Sequence, residues 1–402
     1  MKDRVSLFIF CQSLGWDVMQ SLPFMDGLAD NRASARPILG SACASLPTVL
    51  SGTLPDRHKH FAWFYYSPLS TPFRLFKYFS YLPVLKNSRR LRENLVLAVK
   101  RSFGITGRLS IFNMPLKHLP LFDFAEKDNL FKPGGLGKVP TLFDLFLENN
   151  VNYFCSSPDR TDVGNADAMG AALQKGEVSA AFWHLSGMEH ILTRLGPESV
   201  ALRARVAWLD LRIRGIYEIA SRRYHRVDLA VFSDTGVVPI MDVYDLQRRI
   251  DDTGLTPYED YVAIYEPTMA RFWFISNRSR PVVRHVLDSL PCGRILSQED
   301  LAAEGCWFDD YRFGEVIFLA RPGTVFTPNN IIWELPASAG GYHPDTPGMA
   351  AGFVCNIPRL QPPKTVAGIH NLIVENVAEL AGVRRNSKPP PGAAGAGEGV
   401  YG

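Results

Sequence analysis

No Cys-x-x-Cys pair occurs. The six cysteines, Cys11, Cys43, Cys155, Cys292, Cys306 and Cys355, stand far apart, which argues against a thiolate zinc or iron–sulfur site. Cys11, Cys155 and Cys355 lie in apolar runs and read as buried free thiols, a usage that fits a reducing compartment. No stretch reaches about 18 uninterrupted apolar residues, so no membrane-spanning helix is expected. Charged residues precede the apolar run Val5–Cys11 as in a secretory leader, but the run is short and no small-residue cleavage site follows it. The expected location is the cytoplasm. Net charge is only +3, too little to argue for a nucleic-acid partner. There is no Gly-x-Ser-x-Gly elbow of the kind a Ser-His-Asp hydrolase carries. Gly134–Gly137 follows Lys-Pro rather than a buried strand and reads as a loop, not a phosphate cradle. No internal repeat is present.

What is present is an ordinary globular composition: 402 residues, 46% apolar and 21% charged, long enough to bury a core without disulfides. Apolar, β-rich runs at 5–11, 151–155, 178–185, 227–233 and 348–356 alternate with helical spacing at 16–28, 139–149, 166–175, 199–223 and 366–380, and a short helix start is expected within 47–54. Strands apolar on both faces, separated by helices, predict an α/β fold: a three-layer sandwich around a mostly parallel sheet. The pattern changes after Asp242. Strands at 261–265, 270–275 and 315–320 and a helix at 281–289 read as an α+β cap spanning 243–325, inserted into a core of 1–242 and 326–385. Residues 386–402, rich in Pro, Gly and Ala, are expected to be a disordered tail.

Residues 61–82 are crowded with aromatics, from Trp63 and Phe64 to Tyr81, and a basic stretch follows from Lys86 to Arg108. Membrane-surface or partner contact through 61–108 is one reading. The favoured reading is that the aromatics pack as a subdomain core beneath a solvated basic helix.

Five segments, in order, resemble the type I phosphodiesterase and nucleotide-pyrophosphatase branch of the alkaline-phosphatase superfamily. They are Phe8–Asp17, Leu46–Gly52 with Leu54–His58, Leu195–Ser199, Phe232–Gly236 and Gly341–Asp345, and they span most of the chain. The resemblance implies a cleft at the carboxyl ends of the strands holding two metal ions, usually zinc. There the metals neutralise a phosphate ester, activate a Ser or Thr hydroxyl and hold the leaving oxygen.

The positions that would do this have changed. The ligand Asp ending the first strand is Gln12, and the nucleophile falls on Ala42, with Ser41, Cys43 and Ser45 close by. An Asp and a His four residues apart fall on Glu189 and Thr193. An Asp-His pair becomes Asp234 and Thr235, and the final His becomes Gly340. Two carboxylates cannot replace the ligand set of two zinc ions. The expectation is therefore a catalytically degenerate, phosphodiesterase-like protein without a metal cofactor. It would act by binding a protein partner, a second copy of itself or an anionic small molecule, with Lys59 as a candidate anion contact.

Two alternatives stand beside it. One is an active metal-dependent phosphoesterase with a rearranged zinc site drawn from His184, Glu189, His190, Asp234 and His343. The other is a metal-independent enzyme reusing the cleft, with Arg160, Arg194 and Arg271 for anions and Tyr342 or His343 for proton transfer.

Overall fold

Strand β1 (Lys2–Cys11) buries Val5, Leu7, Ile9 and Cys11 on one side and Phe8 and Phe10 on the other. A strand apolar on both faces belongs inside a sheet covered on both sides. In the computed structural model, which describes residues 2–40, 42–79 and 89–380, β1 lies within a six-stranded sheet. The other five members are β2 (Asn31–Ala35), β5 (Tyr153–Cys155), β6 (Ala180–Leu185), β7 (Tyr224–Phe232) and β16 (Ala351–Cys355), in the order β2-β16-β7-β1-β6-β5. β1, β5, β6 and β7 run parallel, while β16 is antiparallel to both β7 and β2. The fold is thus α/β with a mostly parallel central sheet.

Helices cover both faces. Asp162–Lys175, Val200–Ser221 and the short Trp16–Ser21 pack over one side, and Ala42–Ser51, Leu142–Glu148 and Val366–Leu380 over the other. A ribbon of β3 (Phe64–Tyr66) and β4 (Phe122–Phe124) gathers the aromatic run. Phe64, Phe73 and Phe76 are buried there with Phe122, Phe124 and Trp273, so these aromatics form a local core. Beyond β7 come β8 (Val238–Pro239) and β9 (Asp242–Tyr244). A second sheet follows, made of β10 (Tyr261–Tyr265), β11 (Met269–Phe274), β12 (Gly293–Ile295) and β13 (Val316–Ala320). The chain returns through β14 (Thr324–Phe326), paired with β9, and β15 (Ser338–Ala339), paired with β8.

Three local expectations need correction. The helix starting at Trp16 stops at Ser21, because Leu22 precedes Pro23 and adopts extended backbone. The helix expected near Pro47 begins at Ala42 and carries Pro47 inside it. Buried Leu46, Val49 and Leu50 hold that turn in place against the proline's preference. Residues 187–195, for which the sequence offered no helical register, form the helix Gly187–Leu195. Ser41 and the tail expected at 386–402 lie outside the described residues.

Candidate functional site

Parallel α/β sheets present their ligand sites beyond the carboxyl ends of the strands. At those ends β1 runs into Gln12 and Ser13, β6 into the helix Gly187–Leu195, and β7 into Asp234. Together with the start of the helix Ala42–Ser51 they surround a cavity of about 570 Å3. Gln12, Ala42, Ser45, Glu189, Thr193, Asp234, Thr235 and Gly340 all line it. These eight positions therefore converge on one place, although the outermost are separated by most of the chain.

Their chemistry is internally committed. Gln12 Nε2 donates to Glu189 Oε2 at 2.7 Å. Ser13 N–H donates to Asp234 Oδ1 at 2.9 Å. Burial pushes the fully buried Asp234 carboxyl above the usual range, although Ser13, the Ser45 hydroxyl and neighbouring backbone donate to it. Glu189 is pushed up to about 7, first by burial and then by the charge of Asp234, against a smaller opposing effect of Arg108. Thr193 Oγ1 donates back to the carbonyl of Glu189 at 2.8 Å, and Thr235 Oγ1 to that of Gly236 at 3.1 Å. Gly340 offers only its carbonyl, which takes a hydrogen bond from Thr268 at 3.2 Å.

No activated nucleophile lines the cavity among the described residues. Ala42 stands in the first turn of its helix, where a side-chain oxygen would face the strand ends. Ser45 is turned to Asp234. The Cys43 thiol is fully buried, and burial raises its pKa well above the usual value, so it carries no thiolate.

A pair of divalent ions does not fit these residues. Against the ligands two ions need, the strand ends supply two carboxylates, Glu189 and Asp234, and the first of these is bonded to an amide N–H₂. The rearranged zinc set is not assembled either. His184 has its ring between Phe10 and Phe131, at centroid distances of 5.2 and 5.3 Å, and burial pushes its pKa down to about 3. His190 lines the cavity but is exposed. His343 lies elsewhere, beside Glu304 and Asp345. Those three could hold a cation by their spacing, but Arg36 already occupies the place, with Nη2 at 2.6 Å from Glu304 and Nε at 2.6 Å from Asp345.

Other expected residues also stand apart from the cavity. Lys59 is exposed, donates to the Asp56 carbonyl and lies over the Phe308 ring. Arg271 is fully buried against Glu266 at 2.7 Å, and Tyr342 donates to the Thr324 carbonyl at 3.0 Å. Sequence reasoning missed Trp63, Phe112 and Arg108 as lining residues. Arg108 grips the buried Glu126 through Nε at 2.9 Å and Nη2 at 3.1 Å and lies over Trp63. Its only sequence signal was membership of a basic stretch, and its partner lies 18 residues on.

The fold is one that solved phosphodiesterase structures share. Among solved structures, human ectonucleotide pyrophosphatase/phosphodiesterase 5 matches with a TM-score of 0.66 and 12% identity, covering 97% of each chain. The murine protein matches equally at 0.66 and 12%, over 95% of this chain and 96% of that one. An inactive murine form in complex with AMP does the same. Identity this low establishes the fold alone. No family model and no curated protein sequence matches the chain.

Proposed function

We propose that this chain is a catalytically degenerate relative of phosphodiesterases that acts by binding, as a subunit of a protein complex or as a receptor for an anionic small molecule. The observation that carries this reading is the hydrogen bond from Gln12 to Glu189 beside Ala42. On this reading an amide donor takes the place of a metal ligand, and a methyl group takes the place of the nucleophile. Chemistry resides in the site rather than in the fold, so a scaffold can persist after the reaction is lost. A murine neighbour, in an inactive form, was solved in complex with AMP, which favours an anion of that kind as a ligand to try here. Arg108, paired with Glu126, is the arginine on the cavity wall among the described residues that an anion would approach, beside the carboxylates of Glu189, Asp234 and Glu266.

The test is metal analysis of the purified protein followed by assay on an aryl phosphodiester. The expected result is a folded protein without stoichiometric metal, whose melting temperature ignores EDTA and which produces no aryl alcohol. Stoichiometric zinc with EDTA-sensitive turnover would establish an active phosphoesterase instead.

A further inference from the structure

Beside the cleft runs a second hollow of about 930 Å3, within the size range of small-molecule sites. It is bounded by the helix Arg89–Phe103, by residues 109–112 and by residues 331–336, and it meets the cleft at Phe112, Glu189, His190 and Thr193.

Arg92 lines this hollow yet is only 5% exposed. No carboxylate pairs with it among the described residues. Its guanidinium donates to the carbonyls of Phe112, at 3.2 Å, and Met114, lies over the Trp333 ring at 5.6 Å, and leaves Nε without a hydrogen-bond partner. A buried cation without a countercharge is unfavourable, and burial alone lowers the pKa of Arg92. Lys100 and Arg194 add positive charge at the rim, Arg194 facing Glu334 at 3.3 Å. The carboxylates of Glu93, Glu189 and Glu334 also line the hollow, and an apolar strip of Val96, Leu97, Leu109 and Ile111, the last two buried, runs beside Arg92. At the mouth Leu97, Trp333 and Leu335 are 50%, 49% and 60% exposed, an apolar rim facing water.

We propose that this hollow binds a free amphiphilic oxyanion, with a carboxylate or phosphate head beside Arg92 and an alkyl chain along Ile111, Val96 and Leu97. The head supplies the missing countercharge and the chain covers the apolar strip. The proposal does not rest on the loss of metal ligands from the cleft, and it stands or falls separately from the functional reading above.

Calorimetric titration with hexanoate, octanoate, decanoate, decyl phosphate and decanol tests it. The expected result is saturable binding of one anion per chain, tightening about three- to four-fold per added methylene as buried chain length grows. Decanol should bind at least ten-fold more weakly than decanoate. Arg92→Met should weaken decanoate ten-fold or more. Leu97→Glu, at an exposed position that folding tolerates, should do the same and keeps the test valid if the arginine variant misfolds. Vesicles of mixed zwitterionic and anionic phospholipid should not sediment the protein. Absence of saturable binding, indifference to head charge or chain length, unchanged affinity in Leu97→Glu, or vesicle retention in place of monomer binding would each overturn the proposal.

Discussion

A carboxyl group that keeps its proton more tightly in the folded chain than in the unfolded one makes stability fall as pH rises. Glu189 is such a group, moved from an ordinary 4.5 to about 7 mainly by burial. The native state then binds the extra proton between those values. The associated stability is fully present below about 4.5 and is lost as pH climbs to about 7. Glu189→Gln should flatten this slope, read as a smaller shift of the urea midpoint between pH 5 and pH 7.5 than in the parent protein. Gln12→Asp removes the donor and sets a third carboxyl beside Glu189 and Asp234. It should destabilise the protein by about 1–3 kcal/mol at pH 8 in EDTA, and by less at pH 5, in chemical denaturation. Gln12 and Ala42 stood out in the sequence as departures from the resembling pattern, and Asp234 as its retained carboxylate, because each sits beside a recognisable strand-end segment. The bond from Gln12 to Glu189 was not legible, because it joins residues 177 apart in the chain.

Among the elements, the strand ends that shape the cleft are held by backbone crossing backbone. A Cβ on Gly236 would stand 2.0 Å from the carbonyl oxygen of Gly348, and one on Gly15 would stand 2.5 Å from Gly236 Cα. Gly236, just past β7, therefore serves close packing behind Asp234. Gly236→Ala should cost about 2–4 kcal/mol, measured by thermal and urea unfolding, because backbone cannot yield as a side chain can. The core strands were readable from their double-sided apolar runs. Helix boundaries were less so. Pro47 argued for a helix start near itself, but burial of the surrounding helix fixed the start at Ala42. Glu189, His190 and Thr193 gained a shared helical register only through Gly187–Leu195, whose buried Met188 and Leu192 pack into the core.

Across the whole molecule, the insertion after β7 is tied back to the central sheet's surroundings by ion pairs. Arg36, just past β2, holds Glu304 of the insertion and Asp345 of the returning chain. Arg36 is 38% exposed and Glu304 only 9%, so solvent screens part of the attraction. Arg36→Met should cost about 1–2 kcal/mol and lower the melting temperature in differential scanning calorimetry, with a smaller loss in high salt.

Side-chain type and period are local properties, so they already specified an α/β protein with doubly covered strands and a change of pattern after Asp242. Which distant groups meet was decided by folding, because through-space distance has no image in the order of residues. Packing brought Arg108 to the cleft wall, left His343 with Arg36 and Glu304, and set Arg92 beside a hollow with no carboxylate paired to it among the described residues.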